Sequence, residues 1–119
     1  MRKLVIALSL IPSISLAEPD LKAGISALAA GDYNNAVINL QPLALDGNAD
    51  AQFKMCGMYY MGTGVPKNLD EAVKWCRLAA NRGNVEAAYN VGLFYQKGEG
   101  VKPDANEAMK WYKMAATKG

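Results

Sequence analysis

Histidine is absent from the 119-residue sequence, and side chains that act as nucleophiles or metal ligands are scarce. After residue 17 the chain contains one serine, Ser26, and two cysteines, Cys56 and Cys76. A Ser-His-Asp triad and a Cys-His pair are therefore excluded, since both depend on a histidine base. A zinc site without histidine requires about four cysteines. We therefore predict no catalytic residues, no metal and no cofactor, and a protein that is not an enzyme.

The sequence also lacks an excess of charge once its first residues are set aside. Arg2 and Lys3 account for the formal net charge of +2, because the remaining 11 basic residues equal the 11 acidic ones in number. Nucleic-acid binding requires a concentrated basic face. We therefore expect no nucleic acid among the partners of this protein.

The first 17 residues have the pattern of a secretory signal peptide. A basic start at residues 1–3 precedes a mostly apolar run over residues 4–16, and the side chains at its end are small. This run is shorter than the roughly 20 residues that a membrane-spanning helix requires, and no cysteine follows it for lipid attachment. We predict cleavage between Ala17 and Glu18, export to the periplasm or the medium, and a mature domain of residues 18–119 without a membrane span.

The mature chain repeats itself with a period of 36 residues. Residues 51–83 align without a gap on residues 87–119, with 12 identities in 33 positions. The same shift places Ala36-Val37 on Ala72-Val73, so a third and more divergent unit precedes the other two. Divergence is expected of a terminal unit, because one of its faces meets solvent. The units span about residues 20–48, 49–84 and 85–119.

Each unit is predicted to form two helices joined by a turn that contains glycine. In the middle unit the turn is residues 62–66, and Asn68 with Glu71 forms a capping box that starts the second helix. Asp104 with Glu107 has the same role in the last unit. Small and apolar side chains recur at helical spacing on each helix of the middle unit, namely Ala51, Met55, Tyr59 and Gly62 on the first and Ala72, Trp75, Cys76, Ala79 and Ala80 on the second.

Neither helix can bury its apolar stripe alone, so the two must close into a hairpin and the hairpins must stack. The predicted fold is therefore all-α, with about three helix-turn-helix units. Alanines at the repeated positions allow helices to approach closely, and Trp75 and Trp111 are predicted to fill the larger gaps between layers.

The repeated segments resemble the Sel-1-like repeat, a relative of the tetratricopeptide repeat. The resemblance is carried by the Gly-x-Gly-Val turn, the Trp111-Tyr112 pair, the Ala-Ala pair and the closing glycine, and it covers about 70 residues. The segment from Gly24 to Ala36 has the shorter tetratricopeptide spacing. The resemblance implies a right-handed α/α superhelix that serves as an adaptor for other proteins, often in bacterial envelopes.

Two positions depart from the family pattern. Cys56 and Cys76 stand where the next unit has Gly92 and Tyr112. They lie on facing helices, about equally far from the turn near Pro66, so an antiparallel hairpin brings them close together. In an exported protein this arrangement favours a disulfide. The alternative is two buried free thiols that behave as small apolar residues.

The related tetratricopeptide arrangement implies that the first helix of each unit lines a concave groove. Carrying the groove positions over by the glycine register selects an apolar, aromatic-rich strip consisting of Leu21, Ile25, Leu28, Asp50, Phe53, Tyr60, Met61, Glu86, Tyr89, Leu93 and Gln96. Such a strip is typical of an interface centre and accepts an extended segment or a helix. Phe53 and Tyr89 have an alternative role in packing between units, so Tyr60 and Met61 are the better binding candidates.

We therefore predict a periplasmic or secreted adaptor that binds a segment of another protein in this groove. The rival interpretation is a cell-wall enzyme of the penicillin-binding or β-lactamase type, a class with which some cysteine-rich relatives are associated. That class uses a Ser-x-x-Lys motif, whereas Ser26 is followed by Ala-Leu-Ala. The sequence also shows no further helix to cover Trp111, Tyr112 and Met114, which predicts that a partner or a second copy of the chain covers this end.

Overall fold

The computed structural model describes residues 17–119, and the predicted signal segment up to residue 16 lies outside the described residues. Six helices make up the regular structure of this part of the chain: α1 Leu21–Ala29, α2 Tyr33–Leu45, α3 Ala49–Met61, α4 Leu69–Asn81, α5 Val85–Lys97 and α6 Ala105–Lys118. They pair as three hairpins, and the hairpins stack through contacts of α2 with α3 and of α4 with α5. The predicted all-α helical-repeat superhelix is confirmed. No helix within residues 17–119 combines the length and the apolar character that crossing a membrane requires.

An aspartate or asparagine side chain caps the start of each of these six helices by accepting a backbone N–H of the first turn. The six N-cap residues are Asp20, Asp32, Asn48, Asn68, Asn84 and Asp104. These side chains satisfy N–H groups that have no partner within the helix. At the other end, Gly62 terminates α3 with a φ of 73° and Gly98 terminates α5 with a φ of 72°. Glycine adopts this left-handed conformation without steric strain.

The predicted capping box at the start of α4 is half right. The Asn68 side chain accepts the N–H of Glu71 at 3.1 Å, as expected. The Glu71 side chain does not return to the N–H of Asn68, because that group already donates to the carbonyl of Tyr59. Glu71 instead forms an ion pair with Lys74, one helical turn away, at 3.1 Å.

Removing one of these caps should have a measurable cost. The Asp104 carboxylate accepts the N–H groups of Asn106 and Glu107, both at 3.0 Å. We expect Asp104→Ala to lower the free energy of unfolding by about 1 kcal/mol, measured by urea denaturation followed by circular dichroism. Asn106→Ala is the control, because the exposed Asn106 side chain takes no part in the cap and its removal should change stability by less than about 0.5 kcal/mol. Equal losses in the two variants would contradict the capping role.

The core lies between the two helices of each hairpin and between neighbouring hairpins. All five residues of the predicted α4 stripe are buried, as are Ala51 and Met55 of α3. Leu40, Met58, Val91 and Phe94 complete the core with larger side chains. In α1 the only buried residue is Gly24. A Cβ at this position would stand 2.7 Å from the Leu40 side chain, which is too close. Close packing of α1 on α2 therefore requires glycine at this position.

A disulfide joins Cys56 of α3 to Cys76 of α4, with 5.3 Å between the two Cα atoms. This confirms the predicted bridge over the alternative of two free thiols. Both cysteines are buried. In the next hairpin the ring of Tyr112 lies where any side chain at position 92 would be, so Gly92 is needed there. One unit fills the gap between its helices with two bonded sulfur atoms, and the other fills it with a single aromatic ring.

Candidate functional site

A pocket of about 200 Å³ opens between α3 and α5, the first helices of the second and third hairpins. Four residues from each helix line it at helical spacing, and the turn after α5 adds one more. We call it the α3–α5 pocket, and its lining consists of Cys56, Gly57, Tyr60, Met61, Asn90, Leu93, Phe94, Lys97 and Glu99.

The α3–α5 pocket brings together three of the residues predicted to line the groove, which are Tyr60, Met61 and Leu93. Met61 is 68% exposed, whereas Tyr60 and Leu93 are half-buried. The residues singled out as the better binding candidates, Tyr60 and Met61, are thus neighbours on one wall. Their role in binding stays a prediction.

Two further predicted residues, Tyr89 and Gln96, line a broader cleft of about 700 Å³ between α5 and α6. Leu93 lines both this cleft and the α3–α5 pocket, so the two cavities adjoin. Tyr89 is 52% exposed, and its ring lies 5.4 Å from that of Tyr112. Burial, and to a lesser degree the nearby Tyr89, raises the pKa of Tyr112, whose hydroxyl donates to Gln96.

The remaining predicted groove residues lie outside both cavities. Phe53 is half-buried and packs against the core, which agrees with the alternative role considered for it, and α1 contributes Leu21, Ile25 and Leu28 in the same way. Asp50 and Glu86 are exposed in the first turns of α3 and α5. There their negative charge stabilises the positive end of the helix dipole. The predicted strip is therefore not one continuous cavity across the three hairpins.

Sequence reasoning missed several residues that line the α3–α5 pocket. Asn90 and Lys97 lie three residues before and four residues after Leu93, so helical spacing alone was sufficient to find them. Glu99 offered no such signal, because it reaches the pocket only through the fold of the turn after α5. Gly57 was missed because it has no side chain, and sequence reasoning looked for apolar side chains at helical spacing.

Charge in the pocket is concentrated at its rim. The Tyr60 hydroxyl donates to the Glu99 carboxylate, 3.2 Å from each of its oxygens. This hydrogen bond, together with the negative charge of Glu99, raises the pKa of Tyr60. The Tyr60 ring also lies 5.8 Å from the Phe94 ring. Ion pairs within residues 17–119 join Lys74 to Glu71 and Lys110 to Glu107, so the ammonium group of Lys97 has no carboxylate partner there.

The α3–α5 pocket therefore offers apolar walls, a side-chain amide from Asn90 and one unpaired positive charge. Burial of apolar side chains supplies most of the free energy of protein association, and such polar groups at the edge orient the partner. In the described part of the chain, no three side chains of the histidine, cysteine, aspartate or glutamate types cluster as a metal site would require.

Comparison with known proteins adds to this geometry. The family model of the Sel1 repeat matches residues 49–84 and 85–119, which contain the second and third hairpins. Among solved structures, the chain is similar to a Sel1 repeat protein from Oxalobacter formigenes, with a TM-score of 0.79 and 35% identity over 83% of this chain and 41% of that one. It is also similar to a protective antigen present in uropathogenic Escherichia coli strains that displays an SLR fold, with a TM-score of 0.71 and 40% identity. That match covers 73% of this chain and 19% of the antigen. This chain thus spans less than half the length of either structure, and no curated protein matches it.

Proposed function

Because the chain belongs to the Sel1 repeat family, we propose that it is an exported scaffold that binds a segment of another protein at the α3–α5 pocket. Sel1 repeats generally mediate protein interactions. The observation that carries the choice of site is the exposure of Met61 beside the apolar walls formed by Tyr60 and Leu93. A flexible and polarizable methionine can adapt its shape to a partner surface.

Export is supported by the pattern of the first 17 residues and by the cysteine bridge. Disulfides persist in oxidising compartments such as the bacterial periplasm and the medium, and they are rare in the cytosol. The bridge in this chain is buried and joins two helices of one hairpin. It therefore has a structural role that depends on an oxidising environment.

The rival cell-wall enzyme is not favoured by the geometry. Its nucleophile would have to be Ser26, the only serine after residue 17. Ser26 is exposed on α1, whereas the α3–α5 pocket is lined by residues of α3, α5 and the turn that follows. A binding role needs no such nucleophile.

The proposed site can be tested by photo-cross-linking in the producing cells. We expect a photo-reactive amino acid at Met61 to yield a discrete adduct with a partner protein, because this side chain borders the pocket. Met109 is the matched control, since it is a methionine with 53% exposure on α6, outside the pocket. Adducts are resolved by electrophoresis and identified by mass spectrometry. Equal labelling at both positions, or no adduct at Met61, would contradict the proposal.

A further inference from the structure

Three glycines lie inside the described helices, and two of them are required by packing. A Cβ at Gly24 would stand 2.7 Å from the Leu40 side chain, and one at Gly92 would overlap the ring of Tyr112. Gly57, in the middle of α3, is different because a Cβ there would meet no heavy atom within 4 Å. Its φ is not positive either, so the backbone conformation at this position does not require glycine. Neither the backbone nor the packing of the hairpins explains this glycine.

Glycine is among the least favourable residues in the interior of a helix. The third hairpin has Leu93 at the position that corresponds to Gly57. Gly57 is exposed and lines the α3–α5 pocket. A leucine at position 57 would project its side chain into this space. The absence of a side chain at Gly57 therefore leaves open space on this side of the pocket.

We propose that Gly57 determines specificity: the space it leaves receives one large apolar side chain of the partner segment, and Lys97 pairs with a carboxylate on the same segment. This inference rests on the proposed function, because it assumes that the pocket binds a partner protein. It names the chemistry that the partner must present.

The size and walls of the pocket set the first requirement. Its volume is about 200 Å³, and an apolar cavity of roughly 150 Å³ is large enough for benzene. One leucine, methionine or phenylalanine side chain therefore suits it. Tyr60, Met61, Leu93 and Phe94 provide the apolar contacts around such a side chain.

The charges at the rim set the second requirement. Lys97 is exposed and has no carboxylate partner within the described residues, whereas Glu99 accepts a hydrogen bond from Tyr60. Lys97, at the end of α5, attracts a carboxylate of the partner. Glu99, which is bonded to Tyr60 of α3, repels it. The partner segment is thus expected to carry its acidic residue next to the apolar anchor, in the orientation that places the carboxylate against α5. Complementary charges at an interface rim fix register in this way.

Binding of three capped dipeptides to the isotopically labelled protein tests both requirements by nuclear magnetic resonance. The probe is acetyl-leucyl-glutamyl-N-methylamide, which carries an apolar side chain and a carboxylate. The controls are acetyl-alanyl-glutamyl-N-methylamide, without the anchor, and acetyl-leucyl-glutaminyl-N-methylamide, without the charge. We expect saturable shifts of the Gly57 amide and the Met61 methyl signals with the probe, and an affinity at least about fivefold lower for each control. Equal affinities for all three peptides would overturn the proposal.

Two substitutions connect this selectivity to the named residues. Gly57→Leu should fold at least as stably as the natural chain, because leucine is the better helix former, and should bind the probe at least about tenfold more weakly. Gly57→Ala is the matched control, since it gains the helix preference but fills little of the space. Lys97→Gln should abolish the preference for the glutamyl over the glutaminyl peptide. Unchanged probe binding by Gly57→Leu would overturn the proposal. If Gly57→Leu does not fold, the proposal is overturned by a Lys97→Gln variant that still prefers the glutamyl over the glutaminyl peptide.

Cross-linking from Met61 separates failure of this inference from failure of the proposed function. A partner adduct that forms equally in the natural chain and in Gly57→Leu would show that the pocket region binds a partner without the apolar anchor. That result overturns the inference and leaves the proposed function standing. Loss of the adduct in Gly57→Leu, with the adduct retained in Gly57→Ala, supports both.

Discussion

Replacing Trp75 by alanine should lower the free energy of unfolding by about 3–5 kcal/mol. The indole is 5% exposed and belongs to the core cluster that spans the stacked hairpins. Helix α4, which carries Trp75, packs against both α3 and α5, so the surrounding structure cannot fully collapse into the space left behind. Domains of this size have a total stability of about 5–15 kcal/mol. This single change therefore brings the chain close to unfolding, which urea denaturation followed by far-ultraviolet circular dichroism would measure.

Trp111 supplies the control for this prediction. It occupies the position in α6 that corresponds to Trp75 in α4, but it is only half-buried. Trp111→Ala should therefore cost less, about 1–2 kcal/mol on the apolar area it withdraws from water. Trp75→Phe should also cost less than Trp75→Ala, because the buried Trp75 Nε1 has no hydrogen-bond partner within the described residues. If Trp75→Ala and Trp111→Ala lowered the free energy of unfolding equally, the deeper burial of Trp75 would not be the cause of its effect.

Removing the disulfide should lower the free energy of unfolding by about 3 kcal/mol, because the bridge closes a loop of about 20 residues in the unfolded chain. The double variant Cys56→Ala with Cys76→Ala removes the bridge without reductant. The bridge also ties α3, which carries Tyr60 and Met61, to α4. Urea denaturation of the double variant beside the oxidised protein gives the difference.

A second double variant distinguishes the covalent effect from packing. Cys56→Gly with Cys76→Tyr introduces the pair that the third hairpin uses, where the Tyr112 ring lies against Gly92. We expect it to be more stable than the double alanine variant, because the aromatic ring refills the gap between the helices. It should stay less stable than the bridged protein, since the unfolded chain is no longer constrained. A double alanine variant as stable as the oxidised protein would mean that the bridge contributes nothing to folding.

The helices and their ends were predictable because they depend on neighbours a few residues apart. Asn68 and Asp104 cap their helices through N–H groups only two or three residues away. The 36-residue period showed that these local units recur, and elements with one apolar face must stack to bury it. The pairing of Cys56 with Cys76 followed from their placement on facing helices, although the choice between bridge and thiols required the structure.

The position of the pocket depends on contacts that local patterns do not contain. The hydrogen bond from Tyr60 to Glu99 joins residues 39 positions apart, and no periodicity brings them together. Alignment with the family's groove positions selected Asp50 and Glu86 along with Met61. Such an alignment identifies one face of a helix, but it does not show where along that face two helices move apart to form a pocket. The same reasoning passed over Gly57, since apolar patterns detect side chains that are present, whereas the space beside α3 exists because one is missing. Only the stacking of the hairpins turns that missing side chain into a pocket.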